Sequence, residues 1–445
     1  MTSELSTQGR YVILIVAFLG WLCAGVHMSI TQLAGQSAAV DLLERAGDFD
    51  AARYRQFNLD VQAKTKLSPL DKAQFDLWKP RVTRWFAWFQ CAFLFGAATG
   101  GLVFGWLGDR VGRSKAMAGS ILMFTSFAGA TSFAQAPEHL CALWFLACTG
   151  VGGMWPNGVA LVSEAWSGMS RPMVAGVIGV AANIGIFLFA TLDREVKTTP
   201  ENWRWAMVVG AAPILLGVLA LFAVPESPRW LAAQRTGAAA TLPDGRGSAG
   251  VFRPPLLRVT LIAIVLATIP MIGGWGTANW MNPWSEDFGG AVLKATVLQT
   301  RSITGIIGSL LGGWIASYAG RRWTYFAVSL LSLCFAQYIF LFLVPTDEKF
   351  LFFVAMLGFV SGVYFGWLPL CLPELFPTRV RSTGAGVGFN FGRIVTAVTI
   401  FASGALTQLF RGEYPLIGRY TSLLFILGMV FIWFAPDTSA KELED

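Results

Sequence analysis

The chain has 445 residues, of which 55% are hydrophobic, 14% aromatic and only 13% charged, and its mean hydropathy is +0.57. These values exclude an ordinary soluble globular domain and define a polytopic membrane protein whose main partner is the lipid bilayer. The net charge of +7 would suggest nucleic acid in a soluble chain; here its distribution among the loops is the better guide, and no nucleic-acid partner is expected.

Apolar runs long enough to cross a hydrocarbon core recur throughout, about twelve in all: 11–33, 81–107, 116–135, 140–166, 172–192, 203–224, 256–281, 292–318, 323–344, 350–372, 380–408 and 416–435. The first is too long for a signal-peptide core, follows the single Arg10 and lacks a small-residue cleavage site, so it is expected to stay as a span. The long connection 34–80 contains SPLDKAQFDLW. There Ser68 suits a helix N-cap, Pro69 the first helical position and Asp71 the third, which predicts a small helical cap over the extracellular mouth.

Basic residues collect on alternate loops: Arg110, Arg113 and Lys115 after the second run, Arg229 to Arg258 in the central connection, then Arg321, Arg322, Arg379 and Arg381. The positive-inside rule therefore places both termini in the cytoplasm of a multi-pass cell-membrane protein. All six cysteines fall within apolar runs. Neither a disulfide framework nor a metal site is expected, and no cofactor is implied.

An internal repeat organises the chain. GWLGDRVGRSK from Gly105 recurs as GWIASYAGRRW from Gly313, aligning Gly112 with Gly320 and Arg113 with Arg321 at an offset of 208. SEAWSGMSR, with Glu164 and Arg171, recurs as PELFPTRVR, with Glu374 and Arg381, at an offset of 210. PESPRW at Pro225 has a weaker echo in PDTSAK at Pro436, at an offset of 211. Such order and spacing imply a parallel repeat of two six-helix halves, residues 1–224 and 256–445, joined by a Gly-, Pro- and Ala-rich linker at 225–255.

The pattern Gly105, Leu107, Asp109, Arg110, Gly112 and Arg113 resembles the signature of the major facilitator superfamily. PESPRWL, NWRWAM and PELFPTRVRSTGAG are similar to the branch containing sugar porters, organic anion and cation transporters and bacterial metabolite symporters. The resemblance implies an all-α membrane fold of twelve transmembrane helices and a secondary transporter working by alternating access, not an enzyme. It also implies that Asp109, Arg113, Glu164, Arg171, Glu226, Arg321, Glu374 and Arg381 latch the cytoplasmic side. Opposite charges at helix ends, with one group near the positive N-terminus of the eleventh span, can hold two bundles together and still break. Ser317 and Tyr318 stand where the second half would repeat the Asp-Arg pair, so the latch is expected to lean on Asp109.

The departures from the branch bear on substrate. Sugar porters carry an arginine in the fourth span where this chain has Trp144, and their seventh-span glutamine-rich motif is replaced by a stretch containing Asn279, Trp280 and Asn282. The aspartate pair that bacterial aromatic-acid symporters place in the first span is Leu19 and Leu22 here. No span has an acidic residue near its middle.

Arg393 nevertheless lies mid-span in GVGFNFGRIVTAVTIF. A charge there costs about 2.5–3.5 kcal/mol on the insertion scale, so it should face the bundle interior or a watery cavity. It matches the eleventh-span arginine of organic anion transporters. Arg301 is a second mid-membrane cation without a family match. Two guanidiniums without a carboxylate point to an anionic substrate as counter-charge, although bonds to backbone carbonyls and amide side chains would also satisfy them. His27, Asn183, Gln299, Tyr364 and Asn390, with Trp155, Trp280 and Trp367, complete the expected lining together with Asn279. The function expected is transport of a small organic anion, a carboxylate, by a monomer. A neutral sugar or polyol carrier is the alternative, and a transport-silent binding or sensing protein is the reading from another class.

Overall fold

The computed structural model describes residues 5–47, 49–62, 67–166, 170–235, 247–409 and 414–438. In chain order they form α1 (Thr7–Arg45), α2 (Ala51–Gln62), α3 (Pro69–Val111), α4 (Arg113–Thr131) and α5 (Pro137–Ala165). There follow α6 (Ser170–Val196), α7 (Arg204–Ala211), α8 (Ile214–Ala223), α9 (Pro228–Arg235) and α10 (Leu257–Tyr318). The last are α11 (Arg321–Phe342), α12 (Phe350–Glu374), α13 (Arg381–Leu409), α14 (Tyr414–Ser422) and α15 (Leu424–Phe431). No strand occurs among the described residues. Among the described residues eight helical stretches are long and apolar enough to cross a membrane. The twelve apolar windows fall on α1, α3, α4, α5, α6, α7 with α8, the two limbs of α10, α11, α12, α13, and α14 with α15.

Helix α10 departs from the expected pair of separate spans. Its 62 residues would measure about 93 Å if straight, three times the hydrocarbon thickness. The neighbouring residues Thr324 and Tyr325 reach both of its ends, however: Thr324 Oγ1 donates to the Ile315 carbonyl at 3.4 Å and the Tyr325 hydroxyl to the Leu266 carbonyl at 2.7 Å. The segment therefore folds back on itself as two limbs. The expected break at 282–291 is helical instead, because Met281, Trp284 and Val297 pack with Phe340 and Phe350 into a core cluster of their own.

The segment between the first two spans is also more helical than its length suggests. α1 continues to Arg45 with Ala38, Ala39, Leu42 and Leu43 buried, and α3 begins at Pro69. Ser68 Oγ accepts from the Asp71 N–H at 3.2 Å, the N-cap that the sequence predicted. α2 is seated by an aromatic cluster in which Phe49, Tyr54 and Phe57 meet Phe75 and Trp78.

The repeat in the sequence is a repeat in space. Gly100 lets α3 approach the Thr149 carbonyl of α5 so closely that a Cβ would lie 1.8 Å from it, and Gly308 does the same at the Phe359 carbonyl of α12, 2.0 Å. Gly152 against Ala97 is matched by Gly362 against Gly305, at 1.9 and 2.3 Å. Small residues at these crossings replace the hydrophobic driving force that helices lack inside a bilayer. The turns before α4 and α11 correspond as well, with Gly112 at φ +112° and Gly320 at φ +88°, a backbone region that favours glycine.

Candidate functional site

At one end of the bundle the charged motifs converge. Arg113, fully buried, bonds the Gly108 carbonyl at 2.9 Å and the Thr378 carbonyl, and pairs with Asp109 at 3.2 Å and Glu164 at 3.5 Å. Arg321 repeats this with the Ala316 carbonyl at 3.0 Å and Glu374 at 3.1 Å. Even the weak third echo is realised: Ser227 and Thr438 donate their hydroxyls to Glu164 and Glu374 respectively. Ser317, standing for the missing aspartate, accepts from Arg321 at 3.1 Å, while Tyr318 is exposed.

Among the described residues the first copy is also tied across to the other half of the repeat. Asp109 accepts from the Ser382 N–H at 3.3 Å, the Thr383 N–H at 3.0 Å and the Thr383 hydroxyl, so its carboxylate sits on the first turn of α13. That is where the helix dipole favours an anion. Glu164 reaches Arg381 at 2.9 Å with both side chains fully buried. Gly105 makes the approach possible, since a Cβ there would lie 2.9 Å from the Ser382 carbonyl. Glu226 accepts from the backbone N–H groups of Arg113, Ser114 and Ser227. Burial pushes its carboxyl above the usual carboxylate range, and those N–H groups oppose the shift. The side chain of Arg171, the repeat counterpart of Arg381, lies outside the described residues.

About 16 Å further along α13, Arg393 lines a cavity of about 80 Å³ with Asn183 and Thr396 as the other polar side chains and Trp21, Phe93, Trp155, Phe365 and Phe389 as its aromatic walls. Trp155 of α5 and Phe389 of α13 stack at 3.9 Å across the two halves of the repeat. The Arg393 guanidinium stands 5.7 Å from the Phe93 ring and 5.3 Å from Phe389, and donates to Asn390 Oδ1 at 2.6 Å. Arg393 is 5% exposed, and among the described residues no acidic side chain lies within ion-pair distance of it. Asn390 Nδ2 donates to the Gly386 carbonyl at 3.1 Å and the Gly152 carbonyl at 3.4 Å. Asn390 thus stands behind the arginine and ties its helix to α5.

Of the residues expected to line a site, Arg393, Asn183 and Trp155 meet at this cavity. Others are turned elsewhere. Tyr364 bonds Ser329 at 2.7 Å and Trp367 donates to the Arg321 carbonyl at 2.9 Å, both in the core between α11 and α12. His27 is buried with its ring edge-on to Phe124. Arg301 is half-buried where α10 crosses Gly358 of α12, Trp280 stacks on Tyr414, and Gln299 is half-buried on α10. The side chain of Asn279 lies outside the described residues. Sequence reasoning passed over Trp21, Phe93, Phe389 and Thr396, which read as ordinary span residues until packing turned them inward.

Repeated apolar helices around a cavity, joined at one end by buried ion pairs, are the architecture of a membrane transporter. The chain belongs to the Major Facilitator Superfamily, whose model matches residues 78–400. It is 28% identical over 319 residues to the cis,cis-muconate transport protein of Acinetobacter baylyi, covering 71% of this chain and 76% of that one. It is 29% identical over 396 residues to human solute carrier family 22 member 13, covering 80% and 67%. The solved structure of the proton:xylose symporter XylE bound to 6-bromo-6-deoxy-D-glucose shares the fold, with a TM-score of 0.74 at 16% identity over 99% of this chain and 98% of that one.

Proposed function

We propose that the protein is a secondary transporter of a small organic anion, a carboxylate, and that halves 1–224 and 256–445 rock about the cavity while 225–255 joins them. The reading rests on Arg393: a buried guanidinium in an aromatic cavity, with no acidic partner among the described residues. A carboxylate supplies the missing charge, and the flat aromatic walls suit an unsaturated or aromatic body. The muconate carrier, similar over most of its length, moves an anion of that kind. The arginine-rich loops support cytoplasmic termini, so the charged network would close the cytoplasmic side.

A thermal-shift screen over carboxylates, sugars and organic cations tests this. A carboxylate at a hundredfold excess over its Kd is expected to stabilise the folded protein by about 2.7 kcal/mol, and its neutral amide is not. Stabilisation by sugars or polyols alone would replace the anion reading with a neutral-solute carrier. Ligand binding without flux in proteoliposomes would favour a sensor.

Coupling gives a second expectation. No carboxylate lines the cavity among the described residues, and His27 is buried away from it. Uptake into proteoliposomes is therefore expected to be the same with and without a pH gradient, as in uniport or exchange. Strong proton-driven accumulation that survives His27→Gln would place a coupling carboxylate elsewhere.

A further inference from the structure

A second hollow shares no lining residue with the cavity of Arg393. It is a groove of about 460 Å³ between the start of α10 and the end of the last helix, lined by Pro254, Pro255, Leu261, Phe431, Phe434 and Arg258. Leu261 is 53% and Phe434 55% exposed, and they stand on the outside of the bundle where a spanning protein meets lipid. Only the mouth is polar. Arg258 lies in the first turn of α10, and Arg253 lies one turn earlier, its carbonyl accepting from the Leu257 N–H at 2.9 Å. Both arginines are exposed, and neither has an acidic partner among the described residues. Arg322, by contrast, is engaged with the Ala435 carbonyl at 3.0 Å, next to the lining residue Phe434.

We propose that this groove holds an anionic glycerophospholipid of the leaflet on the linker side, its phosphate at Arg258 and Arg253 and an acyl chain against Leu261, Phe431 and Phe434. An exposed apolar slot in a spanning protein is filled by hydrocarbon, and unpaired arginines at its open end select the head group by charge. Each basic residue near a membrane surface contributes about fivefold to the affinity for an anionic lipid. Because the slot joins the end of the linker to the last helix, its occupant braces the place where the second half begins.

Native mass spectrometry of the full-length protein, with phosphatidylglycerol and phosphatidylcholine in competition, tests the site. Phosphatidylglycerol is expected to be retained at least tenfold over phosphatidylcholine. That preference should fall about fivefold in Arg258→Gln and nearly vanish in the double variant with Arg253→Gln. Leu261→Trp, on the lipid side and away from the transport cavity, fills the slot and is expected to lower retention of the bound lipid with both arginines intact. Equal retention of the two lipids, or a preference untouched by the double variant, overturns the proposal. So does phosphatidylglycerol binding that appears only after removal of residues 439–445, since that would assign the groove to the chain's own acidic end.

Discussion

Arg393→Ala is expected to lose nearly all affinity for the carboxylate identified in the screen, on the order of 2–5 kcal/mol, which is roughly thirtyfold to several-thousandfold in Kd. The size follows from burial. A charge held in a cavity walled by Phe93, Phe389 and Trp155 is weakly screened, and removing it leaves the substrate anion desolvated without a partner. Arg393→Lys should recover only a minor part, because a point charge cannot reproduce the planar two-pronged geometry or the stacking on both rings. Asn390→Ala, which frees the guanidinium from its 2.6 Å anchor, should cost about tenfold. Arg301→Ala should change affinity less than Arg393→Ala, since Arg301 does not line the cavity. Isothermal titration of the purified variants measures all four. An Arg393→Ala protein that folds and binds as tightly as the parent would make the arginine a structural residue, satisfied by Asn390 and the two rings.

Asp109→Asn should act at the other end of α13 and on conformation rather than affinity. The carboxylate of Asp109 receives two backbone N–H groups and a hydroxyl from Ser382 and Thr383, contacts that join the two halves of the repeat at that end. Hydrogen bonds to a charged group are worth about 1.5–3 kcal/mol, so neutralising it should shift the balance toward opening of that end by about tenfold or more. Ser317 is not expected to compensate, because among the described residues it accepts from Arg321 of its own half. Distances between label pairs placed across that end, measured by pulsed electron resonance, are expected to lengthen in Asp109→Asn and to lengthen further with Arg381→Gln, which removes the Glu164 link. Unchanged distances in both variants would show that the network shapes loops without latching the halves.

Much of this protein is legible without coordinates, for a physical reason: a bilayer forces each span to satisfy its own backbone, so span length and number are written in local hydropathy. The repeat offsets are local facts too, and they already pair Gly100 with Gly308 and Ser227 with Thr438, positions whose contacts recur in space. Ser68 needed only its three following residues to be read as a cap. Arg393 stood out because a mid-span charge without a carboxylate is costly enough to require a partner or a cavity. Tertiary packing alone decided which way each helix is turned about its axis. That rotation put Trp21, Phe93, Phe389 and Thr396 on the cavity and left the more polar Tyr364, Trp367 and His27 in the packed core, the reverse of what hydropathy alone suggests. It also folded α10 back on itself and brought Asp109 onto the first turn of α13, some 270 residues away in sequence. A contact of that range depends on how two helices cross, which neighbouring residues along the chain do not encode.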